Sequence, residues 1–312
     1  MPSNTINSIR WDGKQITEPG IYSGIPLEAY HSANICVGPS ISSTTLRAIS
    51  TASPAHAFAK SPLNPKRKPF EPSDAMNLGS ALHWVVAREP GFDTRFVIKP
   101  EKWRGKAWNS DDGRDQMKRW KRDGMTVLTE KQVEHLQGMA ATLSVHPMFL
   151  AGILRGRLEQ SAFWIDETTG LWCKIRPDAM PNDSGDFADL KTTQSVMYHD
   201  LQLSICEYAY HQQGALILEG ARALGLEAAS FTLVWVESTA PYAVRVTQLK
   251  DDDLARGHKQ NAAARLIIAD CLKTGVWPGP GDGRDDAEYI DLPDWKREQI
   301  DAQLKYDLRE VA

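Results

Sequence analysis

At about residue 159 the sequence changes from helical spacing to strict alternation of apolar and polar residues, and this switch limits the fold more than any other feature. The alternation predicts three short strands over residues 160–166, 171–179 and 186–192, separated by ETTG at 167–170 and NDSG at 182–185. Both tetrapeptides are rich in turn formers, so the three strands are expected to pair as a β-meander. On the middle strand Cys173, Ile175, Pro177 and Ala179 share an apolar face, while Lys174, Arg176 and Asp178 share the other. On the third, Ala188 and Leu190 oppose Asp189 and Lys191. Centring each hairpin on its turn puts Glu159 opposite Asp178 and Asp178 opposite Asp189, a row of carboxylates with Cβ atoms roughly 4.5–5.5 Å apart. Like charges that close repel by about 4 kcal/mol at an effective dielectric of 20, a penalty that a bound cation removes. All-oxygen ligation suits Mg²⁺, with Mn²⁺ as a substitute, better than zinc. Any one of these aspartates is more often a solvated surface residue. Three in register are harder to read that way.

The elements around this stretch are mostly helical. Residues 1–40 read as irregular and turn-rich, 42–60 as a helix kinked at Pro54, and the proline-rich basic segment 61–72 as a surface connection. Helices are expected over 76–88, 129–144, 147–156, 200–224 and 251–274, with strands over 231–237 and 242–249. Between residues 96 and 123 periodicity is poor, and Trp103, Trp108 and Trp120 alternate with Arg104, Lys106, Lys118, Arg119, Lys121 and Arg122. Such a stretch suits an exposed or ligand-facing surface. The chain of 312 residues, 42% hydrophobic, is long enough for one domain. Its expected parts are an elaboration over 1–75, a catalytic core over 76–250 and a helical closure over 251–312.

Composition narrows the class further. No export signal or stretch of eighteen apolar residues is visible, so a cytoplasmic protein without a membrane anchor is expected. Cys36, Cys173, Cys206 and Cys271 are widely spaced, which argues against a zinc ribbon or a disulfide framework and for buried free thiols. A net charge of −4 is unusual for a protein that coats nucleic acid, but metal-holding carboxylates inflate the negative total.

An acidic residue, then Pro177-Asp178, then Asp189-Leu190-Lys191 resembles the PD-(D/E)xK nucleases. The resemblance implies an α/β, restriction-endonuclease-like core, a mixed sheet with a three-strand meander flanked by helices. A closer resemblance is to the RecE-type exonucleases, or exodeoxyribonuclease VIII. It rests on NLGSALH at 77–83, the stretch from Glu159 through ETTG to RPD at 176–178, DLKTT at 189–193, YAYHQQ at 208–213, and ADCL at 269–272 followed by Trp277-Pro278. By motif position it makes His83 a metal ligand and gives Gln213 a catalytic place, whereas Ile217 stands where related nucleases carry a tyrosine one turn later.

The resemblance implies an Mg²⁺-dependent 5′-to-3′ exonuclease that resects linear double-stranded DNA for single-strand annealing. A RecT-like annealing partner and a ring-shaped homo-oligomer come with it. One or two ions would be held by Asp178, Asp189, the Leu190 carbonyl, His83 and Glu159, while Lys191 orients the water or stabilises charge. Tyr208 and Tyr210, with Trp103, Arg104 and Lys106, are candidate DNA contacts through stacking and phosphate binding. Packing of the helix against the sheet is the plainer role for the two tyrosines. One rival is a Cas4-like or AddB-like nuclease, which needs clustered cysteines for an iron–sulfur centre. Another is a non-catalytic DNA-binding or phage assembly protein on the same fold.

Overall fold

The structure is a computed structural model that describes residues 7–88, 91–100, 109–158, 160–181, 184–283 and 285–310, with side chains as far as residue 305. In chain order the elements are β1 (Ser8–Arg10), β2 (Gly20–Ser23), α1 (Leu27–Tyr30), β3 (Ser40–Ile41), α2 (Ser43–Thr51), α3 (Pro54–Lys60), α4 (Asp74–Ala87) and α5 (Phe92–Arg95). Next come β4 (Phe96–Ile98), α6 (Asp111–Arg122), β5 (Thr126–Leu128), α7 (Glu130–Val145), α8 (Pro147–Leu150), β6 (Ser161–Ile165), β7 (Trp172–Ile175) and β8 (Asp186–Thr193). The remainder are α9 (Tyr198–Glu207), α10 (Tyr210–Ala223), β9 (Ser230–Glu237), β10 (Val244–Gln248), α11 (Asp251–Thr274) and α12 (Asp294–Glu310). Met1–Pro278 forms one compact unit and Gly279–Ala312 a second, in which α12 is preceded by the exposed Tyr289 and Ile290.

Among the described residues the strands form sheets ordered β1-β2-β6-β7-β3, β10-β9-β8 and β4-β5. The first predicted hairpin forms in the register the ETTG turn dictates, with Ala162 opposite Ile175 and Trp164 opposite Cys173. Its turn is closed by Asp166, whose Oδ2 accepts from the Thr169 N–H and hydroxyl, and by Gly170 at φ +70°, a conformation glycine adopts without a Cβ penalty. The second predicted hairpin does not form. Asp178 lies in a bend beyond the end of β7, and β8 pairs in parallel with β9, Asp189 standing opposite Leu233. Asn182 and Asp183 of the expected turn lie outside the described residues. The β8–β9 link is a strand–helix–strand crossover through α9 and α10, which parallel strands require.

Other expectations are corrected too. Residues 1–40 are not merely irregular: they supply β1, β2 and β3, with β2 antiparallel to β6. The segment from 96 to 123 contains β4 and α6, and Lys118, Lys121 and Arg122 are engaged at the surface by Asp115, Glu71 and Asp123. The helix expected over 200–224 is broken, because Ala209 adopts the left-handed conformation between α9 and α10. α7 begins as its Thr129 cap suggests, with Gln132 completing a capping box.

Three apolar clusters fix these layers. One fills the space between β6–β9 and helices α2, α10 and α11, with Phe187, Phe231 and Trp235 fully buried. A second packs Leu82 of α4 and Met139 of α7 against Leu190 and Val234, on the opposite face of β8 and β9. The third is formed by residues 16–36 over Phe163 and Trp172. It roofs the polar side of β7, where Lys174 donates to the Tyr30 carbonyl and the Ser40 hydroxyl, and Arg176 donates to the Ile25 carbonyl.

Candidate active site

β8 is the outer strand of its sheet, so one edge is free of β9 and the two faces carry different partners. Phe187, Asp189 and Lys191 point toward the α10 side, whereas Leu190 points toward the α4 side, as strand alternation demands. The candidate residues therefore gather around an edge of β8 rather than on one sheet face as the sequence suggested. At that edge Asp178 reaches across in place of a paired strand, its Oδ2 accepting from the Leu190 N–H at 2.7 Å. An extended residue projects its N–H and C=O to the same side, so the Leu190 carbonyl faces this edge as well.

α4 delivers the imidazole. Ser73 caps its first turn, and Leu78, Ala81 and Leu82 bury its inner face. At Gly79, one turn before His83, an added Cβ would stand 3.3 Å from Thr192 Oγ1, so the helix crosses β8 closely enough for His83 Nδ1 to lie 3.1 Å from Asp178 Oδ1. α10 delivers the amide: Gln213 Nε2 donates to Asp189 Oδ1 at 2.9 Å. Lys191 Nζ lies 2.5 Å from Asp189 Oδ2 and 4.7 Å above the Tyr210 ring. Six predicted residues, Asp178, Asp189, Lys191, Gln213, His83 and Leu190, thus meet in one place, and Tyr210 closes the group. Tyr208 is half exposed beside Tyr210, with ring centroids 5.6 Å apart. Glu159, Trp103, Arg104 and Lys106 lie outside the described residues. Ile217 is core.

The electrostatics separate the two carboxylates. Burial pushes the Asp178 carboxyl upward, but the His83 charge and hydrogen bond, with Lys191 and the Leu190 N–H, bring it below its ordinary value. Burial and the neighbouring Asp178 charge raise Asp189 despite Lys191. Burial disfavours the charged forms of His83 and Lys191, yet Asp178 raises the first and Asp189 the second. One carboxylate kept ionised beside another that resists ionisation is the arrangement a cation relieves.

The donor set fits a hard divalent ion. Two carboxylates, a backbone carbonyl and an imidazole are on hand, Asp189 Oδ2 is met by the Lys191 ammonium, and the buried Gln213 Oε1 has no hydrogen-bond partner among the described residues. Among those residues no three His, Cys, Asp or Glu side chains stand as a ready coordination cage. The carboxylates are instead engaged by His83 and Lys191.

A sequence-family model, the PDDEXK-like domain of unknown function (DUF3799), matches residues 42–292. The chain belongs to this PDDEXK-like family. Its match spans Asp178, Asp189 and Lys191 as well as the helices that carry His83 and Gln213. A crystal structure described as a "putative exonuclease" from Eubacterium rectale is similar to the chain at 16% identity and a TM-score of 0.54, covering 81% of this chain and 90% of that one. That likeness is one of fold. The structure of SSO0001, at 12% identity and a TM-score of 0.29 over 62% of this chain and 84% of its own, adds nothing to the fold argument. No curated protein matches the chain. The restriction-endonuclease-like mixed α/β core expected from the sequence is therefore the fold of this PDDEXK-like protein.

Sequence reasoning missed Arg47 of α2. Its Nη1 donates to the Tyr208 carbonyl at 2.6 Å and its guanidinium lies 5.9 Å from the centre of the Tyr210 ring, where burial lowers its pKa. Nothing in an ordinary helical stretch marks that role. All four cysteines are free, and Cys206 is exposed rather than buried. Burial pushes the thiols of Cys36 and Cys173 up to about 12, which is unfavourable for the thiolates that an iron–sulfur centre needs. Among the described residues no helix is long and apolar enough to cross a membrane.

Proposed function

We propose that the protein is an Mg²⁺-dependent exodeoxyribonuclease that hydrolyses phosphodiester bonds at the ends of linear double-stranded DNA. The observation that carries this reading is the convergence of Asp178, Asp189 and Lys191 at the β8 edge, each held by a second side chain. The PDDEXK-like family supports a nuclease. Asp178, Asp189, the Leu190 carbonyl and His83 would hold the ion, with Glu159 as a further ligand, and when bound it supplies Lewis-acid polarisation and a water of lowered pKa. In the reaction the water oxygen bonds to phosphorus, one P–O bond breaks, and the leaving oxygen takes a proton.

The protein's own part is positional and electrostatic. Lys191 keeps its proton, because Asp189, Tyr210 and Asp178 together outweigh burial, and places a fixed positive charge where the phosphorane develops negative charge. Gln213 fixes the Asp189 carboxylate, and Tyr210 confines the ammonium. Tyr208 is exposed beside this group, a place suited to stacking on DNA. Trp103, Arg104 and Lys106 remain proposed DNA contacts. Removal of nucleotides from 5′ ends, action with a RecT-like annealing protein and assembly as a ring all rest on the RecE-type resemblance.

End-labelled linear duplex incubated with Mg²⁺ or with EDTA tests the activity. Asp189→Asn is expected to abolish cleavage while leaving the fold intact, because relief of the Asp178–Asp189 repulsion is offset by the loss of the nearest counter-charge to Lys191. Cleavage at the wild-type rate by that variant would remove the assigned site. Duplexes with nuclease-resistant linkages at one terminus at a time test polarity, and undiminished digestion with both 5′ ends blocked would refute it.

A further inference from the structure

A cavity of about 540 Å³ opens beside Asp178. His83, Asp178 and Leu190 form one wall, so it is continuous with the proposed catalytic centre. The other walls are of two kinds. Pro26, Leu154 and Leu158 with the Trp84 indole give an apolar, aromatic surface, and Arg95 and Arg176 contribute guanidinium groups. The Arg95 guanidinium lies 5.6 Å from the centre of the Trp84 ring, and Trp84 Nε1 is buried without a hydrogen-bond partner among the described residues.

From this we infer that the cavity is the subsite for a single nucleotide unit at the end of the strand, a deoxynucleoside 5′-monophosphate in chemical class. Pockets that enclose one small ligand span about 300–1,000 Å³, which this volume matches and a folded duplex end does not. The two wall chemistries match the two halves of a nucleotide: the apolar and indole surface takes the base, and the guanidinium side offsets the phosphate charge. Because Asp178 forms part of the wall, a terminal nucleotide seated here places the next phosphodiester near the carboxylates. Cleavage one nucleotide at a time then follows from a cavity with room for one nucleotide. The inference rests on the nuclease reading for its substrate class, but binding can be tested without catalysis.

The test is calorimetric titration of the full chain with 2′-deoxyadenosine 5′-monophosphate in EDTA, alongside 2-deoxyribose 5-phosphate as the base-free control. Saturable binding is expected, at least tenfold tighter than the control. Leu158→Trp and, separately, Leu154→Trp fill the apolar wall and should each weaken it tenfold or more, with far-ultraviolet circular dichroism confirming that at least one is folded. In digests of labelled duplex the wild type should release mononucleotides first. No binding, equal binding of the control, or unaltered binding in a folded filling variant would overturn the subsite. Nucleotide binding that the variants weaken, in a protein that never cuts DNA, would support the subsite and refute the nuclease reading. Cleavage with no nucleotide binding would do the reverse.

Discussion

Two lysines on strands β7 and β8 show how neighbours decide the role of a residue type. Lys174 is buried under the N-terminal segment, where its ammonium meets the Tyr30 carbonyl at 2.8 Å, the Ser40 hydroxyl at 3.1 Å and the Tyr30 ring face at 5.2 Å. Every one of these partners is neutral, and burial pulls its pKa down to about 8. Lys191 is largely, though less completely, withdrawn from water, yet Asp189 lies 2.5 Å away and its pKa rises. The first lysine ties a roof to a sheet at an electrostatic cost. The second has that cost offset by carboxylates and is left as a fixed charge beside the proposed metal-holding groups.

The largest effect that sharpens this contrast is on catalysis. Lys191→Ala should lower the single-turnover cleavage rate by about 10²–10³-fold, the usual loss when one stabilising donor is removed. Mn²⁺ affinity, read by calorimetry, should stay within a few-fold of wild type, because lysine serves the phosphate or water rather than the ion. Lys174→Met should leave the rate per folded molecule unchanged. If the two variants lose activity equally, the distinction between structural and catalytic lysine is wrong.

A smaller effect separates them by pH. The folded-state pKa of Lys174, about 8, lies below the ordinary lysine value of 10.5, so between these values the unfolded chain binds more protons than the folded one. Stability contributed by this site therefore rises as pH increases through that window, by about 3 kcal/mol at most, and the full penalty is present below pH 8. The wild type minus Lys174→Met difference in unfolding free energy, from urea titrations at several pH values, should show that rise. At neutral pH the substitution itself should cost only about 1 kcal/mol, since losing the buried charge partly offsets leaving the Tyr30 carbonyl and Ser40 hydroxyl unpaired. A flat difference across pH 8–10.5 would mean that the ammonium is not desolvated as described.

The same two strands show what the sequence makes legible. The ETTG turn is local chemistry, so the register of β6 on β7 could be read directly, and alternation alone placed Asp189 and Lys191 together. The partner of β8 could not be read that way. It is β9, which pairs Asp186 with Ser230 across a two-helix crossover, and no local signal reports such a distant parallel ladder. Treating NDSG as a second hairpin turn therefore set Asp178 opposite Asp189, when it actually meets the backbone of Leu190 at the strand edge. The polar face shared by Lys174 and Arg176 could be read from alternation, but not its burial, because the roof over it comes from residues 16–36, which carry few strand signals of their own. His83 and Gln213 were reached through motif resemblance. Physical spacing alone gave no reason to join α4, α10 and β8.

The smallest expected effect concerns what holds Lys191 in place. The left-handed Ala209, a conformation that costs an alanine of order 1–3 kcal/mol, redirects the chain between α9 and α10 and sets the Tyr210 ring under the ammonium at 4.7 Å. Arg47 backs the ring, and Trp235 meets it edge-on at 5.6 Å, so the ring's position is fixed from two sides. A desolvated ammonium over an aromatic face gains about 0.5–2 kcal/mol. If Tyr210 positions Lys191 through the ring face, Tyr210→Phe should retain the wild-type rate within about twofold, because phenylalanine keeps the ring. Tyr210→Leu should lose roughly three- to thirty-fold in the single-turnover rate with little change in DNA affinity. In Lys191→Ala the leucine substitution should have almost no further effect, because the group it positions is gone. A double-mutant cycle on single-turnover rates, with anisotropy measurements of DNA binding in Ca²⁺, reads both quantities. If Tyr210→Phe is as slow as Tyr210→Leu, the hydroxyl rather than the ring is what matters. If the losses at Tyr210 and Lys191 simply add, the ring acts on DNA independently of the lysine.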